Sequence, residues 1–358
     1  GAERDGCRGP PPTASAPSRA TAHAARVGGM DFEDAASRIE SRAALLRNGV
    51  TRRDISTGGV HRIARGGFVP HEAWAEAWPN ERHLLQVAAF EERRRGGPVV
   101  YSHLTAAILH GLPLWGAAPA RVHLSGSHHN GAVTRGAPLV SRHRCAIPDA
   151  DIAAVGRLTA TSLARTLADV LRTAPVATAI VMADAAMRRV AGDDSRRAYD
   201  SDAADALRGA VARRLRPGAR GVCQAREVLD LADGRSESPG ESVSRWRLHE
   251  LGFAPPRLQV RIPGPGPGAY FVDFGLDDAD VWGEYDGEVK YRVEEMRRGA
   301  ALDELISAEK AREDWIRGVT GRRLVRWSTA DIRTTAALRT KLAHFRVFPT
   351  PSRGPSHR

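Results

Sequence analysis

Two apolar, strand-like runs that carry acidic residues constrain this chain more than any other feature. The first run is Tyr270–Phe274, which contains Asp273. The second is Val281–Asp286, which ends with Glu284 and Asp286. A carboxylate is costly to bury without a partner, and hard cations such as Mg²⁺ prefer oxygen ligands. Acids on neighbouring strands therefore predict a cation site and metal-assisted attack on a phosphate ester.

The segment before these runs predicts an amphipathic helix. Ser238 suits its N-cap and Pro239 its first turn, whereas Gly252 suits its end. Glu241 then lies in the first helical turn. The helix start therefore offers a third carboxylate.

The order of the predicted elements from this helix onward is helix, three strands, helix, strand, helix. Apolar alternation and turn residues mark these elements. They are a helix over 238–252, strands over 257–262, 270–274 and 281–286, a helix over 293–318, a strand over 322–327 and a last helix from the capping sequence Ser328–Asp331.

Four short motifs in this order resemble a bacterial domain of the PD-(D/E)XK nuclease superfamily. They are the Ser-Pro-x-Glu-Ser helix start, the Val-Asp-Phe strand, the Glu-x-Asp-Gly strand end and the Arg-Leu-Val-Arg-Trp strand. The domain is similar to the very-short-patch repair (Vsr) endonucleases, and the resemblance covers roughly 236–345. It implies a restriction endonuclease-like core in which Glu241, Asp273 and Glu284 hold one Mg²⁺ or Mn²⁺, with Asp286 beside them.

The chain departs from the superfamily pattern at one position. The pattern places Lys two residues after the second acid, where this chain has Asp286. Lys290 or Lys310 is a candidate substitute, and without a cation near the attacking water hydrolysis is expected to be slow or absent. Lys290, Lys310, Arg323 and Arg326 are also candidate phosphate contacts, and Arg is preferred where a phosphate needs two donors.

Simpler interpretations of the acidic residues stay open. Asp286-Gly287 is a strong hairpin-turn signal, so 281–292 also fits a plain hairpin with a polar face. Glu241 also fits a carboxylate that caps the helix or interacts with its dipole. Asp273 is the hardest of the acids to explain in this way, because it lies between Val272 and Phe274.

The composition favours a polyanionic partner inside the cell. Of 358 residues, 53 are Lys or Arg and 42 are Asp or Glu, which gives a net charge of +11 and a pI near 10.4. Such a balance suits nucleic acid, although the Arg preference of a high-GC genome also produces it. Three scattered cysteines predict neither a disulfide framework nor a zinc site. No apolar run is long enough to span a bilayer, so a cytoplasmic protein without a membrane partner is expected.

The N-terminal part predicts a small winged helix-turn-helix. A first helix is predicted over Asp31–Arg47, a second from the capping sequence Thr51–Asp54, a third including Val60–Ala64, and a strand after Arg65. The residues expected to contact the DNA groove or its phosphates are His61, Arg62 and Arg65.

This part of the chain also resembles the start of the AbiEi-type abortive-infection antitoxins. The sequences that carry the resemblance are Gly49-Val-Thr-Arg-Arg-Asp-Ile, Arg62-Ile-Ala-Arg-Gly-Gly-Phe-Val and the helix within Tyr101–Trp115. The resemblance covers roughly 30–190. It implies operator DNA and a cognate toxin as partners. A structural mini-domain with surface arginines is the alternative.

The middle part predicts a mixed domain. Its predicted helices are 82–95, 102–110, 159–172 and 176–190, and its predicted strands are 121–124 and 138–142. His103 and His110 fall seven residues apart on one helical face, but a metal site there would need a third ligand. Surface or hydrogen-bonded histidines are therefore the favoured interpretation. Ser125-Gly-Ser lacks the Lys of a phosphate loop, so no nucleotide cofactor is expected.

Together these observations predict a multidomain α/β protein. The expected segments are a disordered 1–29 with Met30 as a candidate translation start, a winged helix over 30–75, a mixed α/β domain over 76–235, a PD-(D/E)XK nuclease-like domain over 236–345 and a disordered tail over 346–358. The leading function is metal-dependent hydrolysis of double-stranded DNA. The alternative is a non-enzymatic antitoxin-like regulator whose nuclease fold is degenerate.

Overall fold

The chain forms a mixed α/β structure with two compact units. The computed structural model describes residues 30–127, 140–193, 198–287 and 302–350, so the expected disordered segment 1–29 and residues 351–358 of the expected disordered tail 346–358 lie outside these ranges. One unit comprises the chain up to Ala191 together with Asp200–Ala232, and the other comprises Gly192–Tyr199 and the chain from Asp233 onward. Within the described ranges, no helix combines the length and the apolar character needed to cross a membrane.

The first unit begins with three short helices and a small sheet. Its elements are α1 (Phe32–Ser37), β1 (Glu40–Ser41), α2 (Arg42–Arg47), α3 (Arg52–Thr57), β2 (Val60–Ala64) and β3 (Gly67–Pro70). The predicted single helix over Asp31–Arg47 is wrong. Glu40 and Ser41, in the middle of this range, pair with β3. Ser41 is also the N-cap of α2, where its hydroxyl accepts a hydrogen bond from the Ala44 N–H. The predicted start of α3 is confirmed, because Thr51 and Asp54 form a capping box.

The predicted third helix is also wrong, because Val60–Ala64 is a strand. It pairs antiparallel with β3, and the sheet has the order β1-β3-β2. Gly66 between the strands has φ +82°, a conformation that glycine adopts without strain and that suits a tight hairpin turn. Phe68 and Val69 of β3 are buried. His61 and Arg62 therefore lie on a hairpin and not on a helix.

The rest of the first unit is a five-stranded sheet surrounded by helices. Its elements are α4 (His71–Glu76), α5 (Pro79–Arg93), β4 (Val100–Tyr101), α6 (His103–Leu109), β5 (Val122–Gly126), β6 (Val140–Arg144), a 3₁₀ turn (Asp149–Asp151), β7 (Ile152–Val155), β8 (Leu158–Thr161), α7 (Leu163–Thr173), α8 (Val176–Ala191), α9 (Ser201–Ala212) and α10 (Val222–Leu231). The strand order is β6-β5-β4-β8-β7, and β5 and β6 run parallel.

One apolar core joins this sheet to α5. The buried residues of that core are Val87, Phe90, Tyr101, Ala106, Val122, Leu124, Leu158 and Ala160. The predicted helix over 159–172 is wrong at its start, because Leu158–Thr161 is a strand and α7 begins only after the N-cap Ser162. Ser162 accepts the Arg165 N–H there.

The second unit has the predicted order of elements from its first helix onward. Two short strands that were not predicted, β9 (Gly192–Asp193) and β10 (Ala198–Tyr199), also belong to it. The predicted elements are α11 (Pro239–Glu250), β11 (Arg257–Pro263), β12 (Ala269–Leu276), β13 (Val281–Asp286), α12 (Leu302–Thr320), β14 (Arg323–Ser328) and α13 (Thr335–His344). The main sheet has the order β11-β12-β13-β14. Its first three strands are antiparallel, whereas β13 and β14 are parallel.

Helices α11 and α12 cover opposite faces of this sheet. Trp282 packs with Ile316 of α12. Its neighbour Gly283 points to the other face, since successive strand residues alternate. There Gly283 approaches the ring of Trp327, whose Nε1 donates to Ser244 Oγ of α11 at 2.8 Å.

The last helix begins later than predicted. Asp331 accepts hydrogen bonds from the backbone N–H and the hydroxyl of Ser328, but this capping sequence only closes a turn. The helix starts at Thr335, and Thr334 is its N-cap.

Replacing Gly283 by Ala is expected to destabilise the second unit by about 1–3 kcal/mol, because the new methyl group would overlap the Trp327 ring in a packed core. Gly266→Ala is the matched control, since a Cβ there meets no atom within 4 Å. Unfolding curves of the two variants measure the difference. Equal midpoints for Gly283→Ala and wild type would contradict the packing described.

Candidate active site

Glu241 lies at the start of α11 and is buried, with 7% of its surface exposed. Its Oε1 accepts a hydrogen bond from Ser238 Oγ at 2.9 Å, and its Oε2 accepts one from the Glu237 N–H at 2.8 Å. The Glu241 N–H in turn donates to Ser238 Oγ. Ser238 therefore caps the helix, and the Glu241 carboxylate binds the two residues that precede it. These hydrogen bonds alone do not account for the other neighbours of Glu241.

Asp273 lies next to the point where β12 and β13 stop pairing. The ladder joins Phe274–Leu276 to Val281–Gly283. The Tyr285 N–H then donates to the Asp273 carboxylate, with an N···Oδ2 distance of 2.8 Å. The side chain of Asp273 thus takes the place of a backbone acceptor.

Gln259 of β11 connects the two acids. Its Nε2 lies 3.1 Å from Glu241 Oε2 and 3.4 Å from Asp273 Oδ1. Its backbone has φ +48°, in the left-handed region that a residue with a side chain seldom adopts. This helix start and these two strands therefore bring two carboxylates and an amide to one place.

The carboxyl groups of Glu241 and Asp273 both have raised pKa values. Burial, followed by the charge of Asp273, raises the pKa of Glu241 to about 8. Burial also raises the pKa of Asp273 to about 6; the Tyr285 N–H opposes the shift, and the charge of Glu284 adds to it. Across the described ranges, no Lys or Arg forms a salt bridge with either acid. Such a pair favours a bound cation.

Glu284, unlike Glu241 and Asp273, is paired with arginine side chains. Its Oε1 accepts from Arg312 Nη2 at 2.5 Å and its Oε2 from Arg326 Nε at 3.0 Å. Arg312 and Arg326 both also pair with Glu309 of α12. Two guanidinium groups therefore neutralise the third predicted ligand.

The oxygen atoms of Glu241, Asp273 and Glu284 do not all lie within 4.8 Å of one another. Asp273 nevertheless interacts electrostatically with both other acids. The three carboxyl groups thus form a row with Asp273 in the middle. Glu284 is paired with two arginines, whereas Glu241 and Asp273 have no salt-bridged partner in the described part of the chain.

The other residues predicted to act in catalysis are only partly within the described ranges. Asp286 is half-buried at the end of β13, beside Ser328 of β14. Lys290 lies outside the described residues, as does the return strand of the alternative hairpin. Lys310 is exposed on α12. Of the positive groups, the structure places Arg312 and not Lys310 against a carboxylate of the site.

The residues predicted to contact DNA differ in their exposure and in the contacts that their side chains already make. Arg62 and Arg65 are exposed on and beside β2, whereas His61 is half-buried and its ring stacks on Trp74 at 4.0 Å. Arg326 is held by the acids of its own site. Arg323 is exposed, and its Nη1 donates to the Phe345 carbonyl at 2.7 Å.

Sequence reasoning missed Gln259 and Arg312. Gln259 lies between Leu258 and Val260, but Arg257 and Arg261 flank these residues, so one more polar side chain was only a weak signal. Arg312 follows Glu309 by one helical turn, which is a common surface pairing and so gave no indication of a site.

A second group of potential ligands was missed in the first unit. His103, His123 and His143 each offer a ring nitrogen, and these nitrogens all lie within 4.8 Å of one another. His110, the partner considered from the sequence, instead contacts the Thr161 carbonyl through Nε2 at 2.8 Å. His123 lies on the predicted strand 121–124, and His143 directly follows the predicted strand 138–142. The cluster was missed because the sequence does not show that these two strands pair.

The comparisons with known proteins give no function. The chain is 42% identical over 69 residues to two proteins of Mycobacterium tuberculosis, from two strains, each described only as uncharacterized. The match covers 19% of this chain and 26% of each relative, so the chain spans about a quarter of the length of the curated relatives it matches. No family model and no solved structure matches the chain.

The raised pKa of Glu241 predicts a pH-dependent stability in the absence of divalent cations. Between its ordinary value of 4.5 and about 8, the folded protein binds more protons at Glu241 than the unfolded chain does. The free energy of unfolding should therefore fall as the pH rises through this window. Glu241→Gln removes the titrating group, so its decline with pH should be smaller. Denaturant unfolding across the pH range, with chelator present, measures both slopes, and identical slopes would refute the assignment.

Proposed function

We propose that the second unit binds a divalent cation at Glu241 and Asp273 and hydrolyses phosphodiester bonds of DNA. The observation that carries the proposal is this pair of neighbouring carboxylates, whose hydrogen bonds in the described part of the chain come from neutral donors. Mg²⁺ and Mn²⁺ favour oxygen ligands of this kind. The resemblance of 236–345 to PD-(D/E)XK nucleases supports the same assignment.

Gln259 is suited to take part in cation binding. In the present arrangement its Nε2 faces Glu241 and Asp273. Rotation of the amide would present Oε1 in place of Nε2, and the two orientations have nearly the same shape. The amide thus links the acids when no cation is bound and offers a neutral oxygen ligand when one is.

A cation at this pair would lower the pKa of a bound water and polarise the scissile phosphate. The chain's own groups would do the rest. Arg312, held by Glu284 and Glu309, supplies positive charge beside the acids in place of the Lys that the superfamily pattern expects. Its terminal nitrogens already donate to Glu309, Glu284 and the Phe271 carbonyl, so Arg312 is assigned to stabilise the negative charge of the phosphate and not to bind it through two donors.

The first unit is assigned to DNA binding. Arg62 and Arg65 lie exposed near the tip of the β2–β3 hairpin, which is the location of a wing in winged-helix proteins. The resemblance of 30–190 to AbiEi-type antitoxins and the net charge of +11 agree with this assignment. Duplex DNA is the proposed partner, and contacts to its phosphates provide most of the affinity.

The second candidate function is a DNA-binding regulator, antitoxin-like, whose nuclease fold is degenerate. The specific observation in its favour is that Arg312 and Arg326 occupy both oxygens of Glu284, while Asp286 stands where the pattern has Lys. In that case a cytoplasmic toxin would be the further partner. No cleavage would accompany DNA binding.

Asp273→Asn is expected to abolish cleavage of supercoiled DNA in the presence of Mn²⁺, by a factor of at least about 100, because the neutral amide no longer holds the cation. The fold and the affinity for DNA should stay the same. Asp314→Asn, an exposed acid of α12, is the matched control and should cleave like wild type.

The same variants distinguish the two functions. A regulator would not cleave with any divalent cation and would not gain thermal stability from Mn²⁺. Asp273→Asn would then raise the melting temperature, because one member of a mutually repelling buried pair is gone. That combination of results would overturn the nuclease proposal and leave the regulator.

The double variant Arg62→Ala/Arg65→Ala is expected to weaken binding to any duplex sequence. The plot of log affinity against log salt should become shallower by about 1.8, which corresponds to two phosphate contacts. Arg339→Ala, an exposed arginine of α13, is the control. Titrations of labelled duplex at several salt concentrations provide the slopes, and an unchanged slope would remove the hairpin from the interface.

A further inference from the structure

Three histidines of the first unit approach one another from three different elements. His103 is the first residue of α6, His123 lies in β5 and His143 in β6. The rings of His103 and His143 stack with centroids 3.6 Å apart, and His123 Nδ1 lies 2.9 Å from His143 Nε2. Because β5 and β6 pair in parallel, with His123 opposite Ser141 and His143 opposite Ser125, the sheet itself brings these two residues close together.

From this geometry we propose that His103, His123 and His143 form a Zn²⁺ site with an open fourth position. Imidazole nitrogen suits Zn²⁺, and three histidines with one exchangeable ligand form a recurrent zinc geometry. Tetrahedral zinc–nitrogen bonds place the nitrogens about 3.4 Å apart. The present nitrogens all lie within 4.8 Å of one another, and the stacked rings would turn so that one nitrogen of each faces the ion.

The surroundings keep the rings oriented and neutral. His103 Nδ1 lies 3.0 Å from Ser102 Oγ, which also accepts a hydrogen bond from Ser125 Oγ at 2.7 Å. His103 has φ +53°, a conformation that bulky residues adopt mainly where function requires it. Burial, followed by the charge of His143, lowers the pKa values of His103 and His123. Zinc binds the neutral form of imidazole.

An ion can reach the cluster from solvent. His123 and His143 are only half-buried, and His143 forms part of the wall of a cavity of about 210 Å³. Ser125, Arg142 and Arg144 also line this cavity. The open coordination position would therefore accept water or a small anion. This site uses nitrogen ligands in the first unit, so it is independent of the carboxylates proposed to hold Mg²⁺ or Mn²⁺.

The test uses the full-length protein after removal of metals by a chelator. Titration with Zn²⁺ against a chromophoric competitor should give one ion per chain. His123→Ala and His143→Ala should each weaken the affinity at least about tenfold, whereas His344→Ala, an exposed histidine of α13, should bind like wild type. Equal affinity in all four proteins, or no binding by wild type, would overturn the proposal.

Co²⁺ provides a readout that does not depend on variants that unfold. Wild type loaded with Co²⁺ should show the visible absorption bands of a four-coordinate ion without a thiolate charge-transfer band, because the three ligands are imidazoles. His143→Cys should gain that charge-transfer band if position 143 is a ligand. Spectra of only hexahydrated Co²⁺ for wild type, or no new band in a folded His143→Cys variant, would refute the site.

Discussion

The second unit holds two neighbouring carboxylates, the buried Glu241 and the half-buried Asp273, that lack a salt-bridged cationic partner in the described part of the chain. Within that part, their hydrogen bonds come from neutral groups, whereas the adjacent Glu284 binds two arginines. Arginine side chains are thus present nearby, but they pair with Glu284 and not with Glu241 or Asp273. The pairing of β12 with β13 also involves one of these acids. Just beyond the last paired residues, the Asp273 carboxylate accepts a hydrogen bond from the Tyr285 N–H in place of a backbone carbonyl.

The two proposed ion sites differ in chemistry and lie in different units. Oxygen ligands of Glu241 and Asp273 favour hard cations such as Mg²⁺, whereas the imidazoles of His103, His123 and His143 favour Zn²⁺. Each ion can therefore be added or withdrawn without directly affecting the other site. Activity, metal content and stability can be assigned to one unit at a time.

Local signals in the sequence predicted part of the fold and part of the site. Ser238 and Pro239 mark the start of α11, because capping depends on adjacent residues only. Val60–Ala64 was mistaken for a helix, because its strand character comes from pairing with β3. Gln259, Arg312 and the histidine cluster were missed for the same reason: each depends on contacts between distant segments. Asp273 was singled out because a charge within an apolar run is itself unusual, and in the structure it is half-buried with a raised pKa.

The most direct test of the central claim is the location of Mn²⁺ in crystals of the wild-type protein. Anomalous difference density should appear between the carboxylates of Glu241 and Asp273, with the Gln259 amide turned so that its oxygen faces the ion. The Glu284 carboxylate should keep its pairs with Arg312 and Arg326. Crystals that contain Mn²⁺ elsewhere, with Gln259 still donating to both acids, would contradict the account.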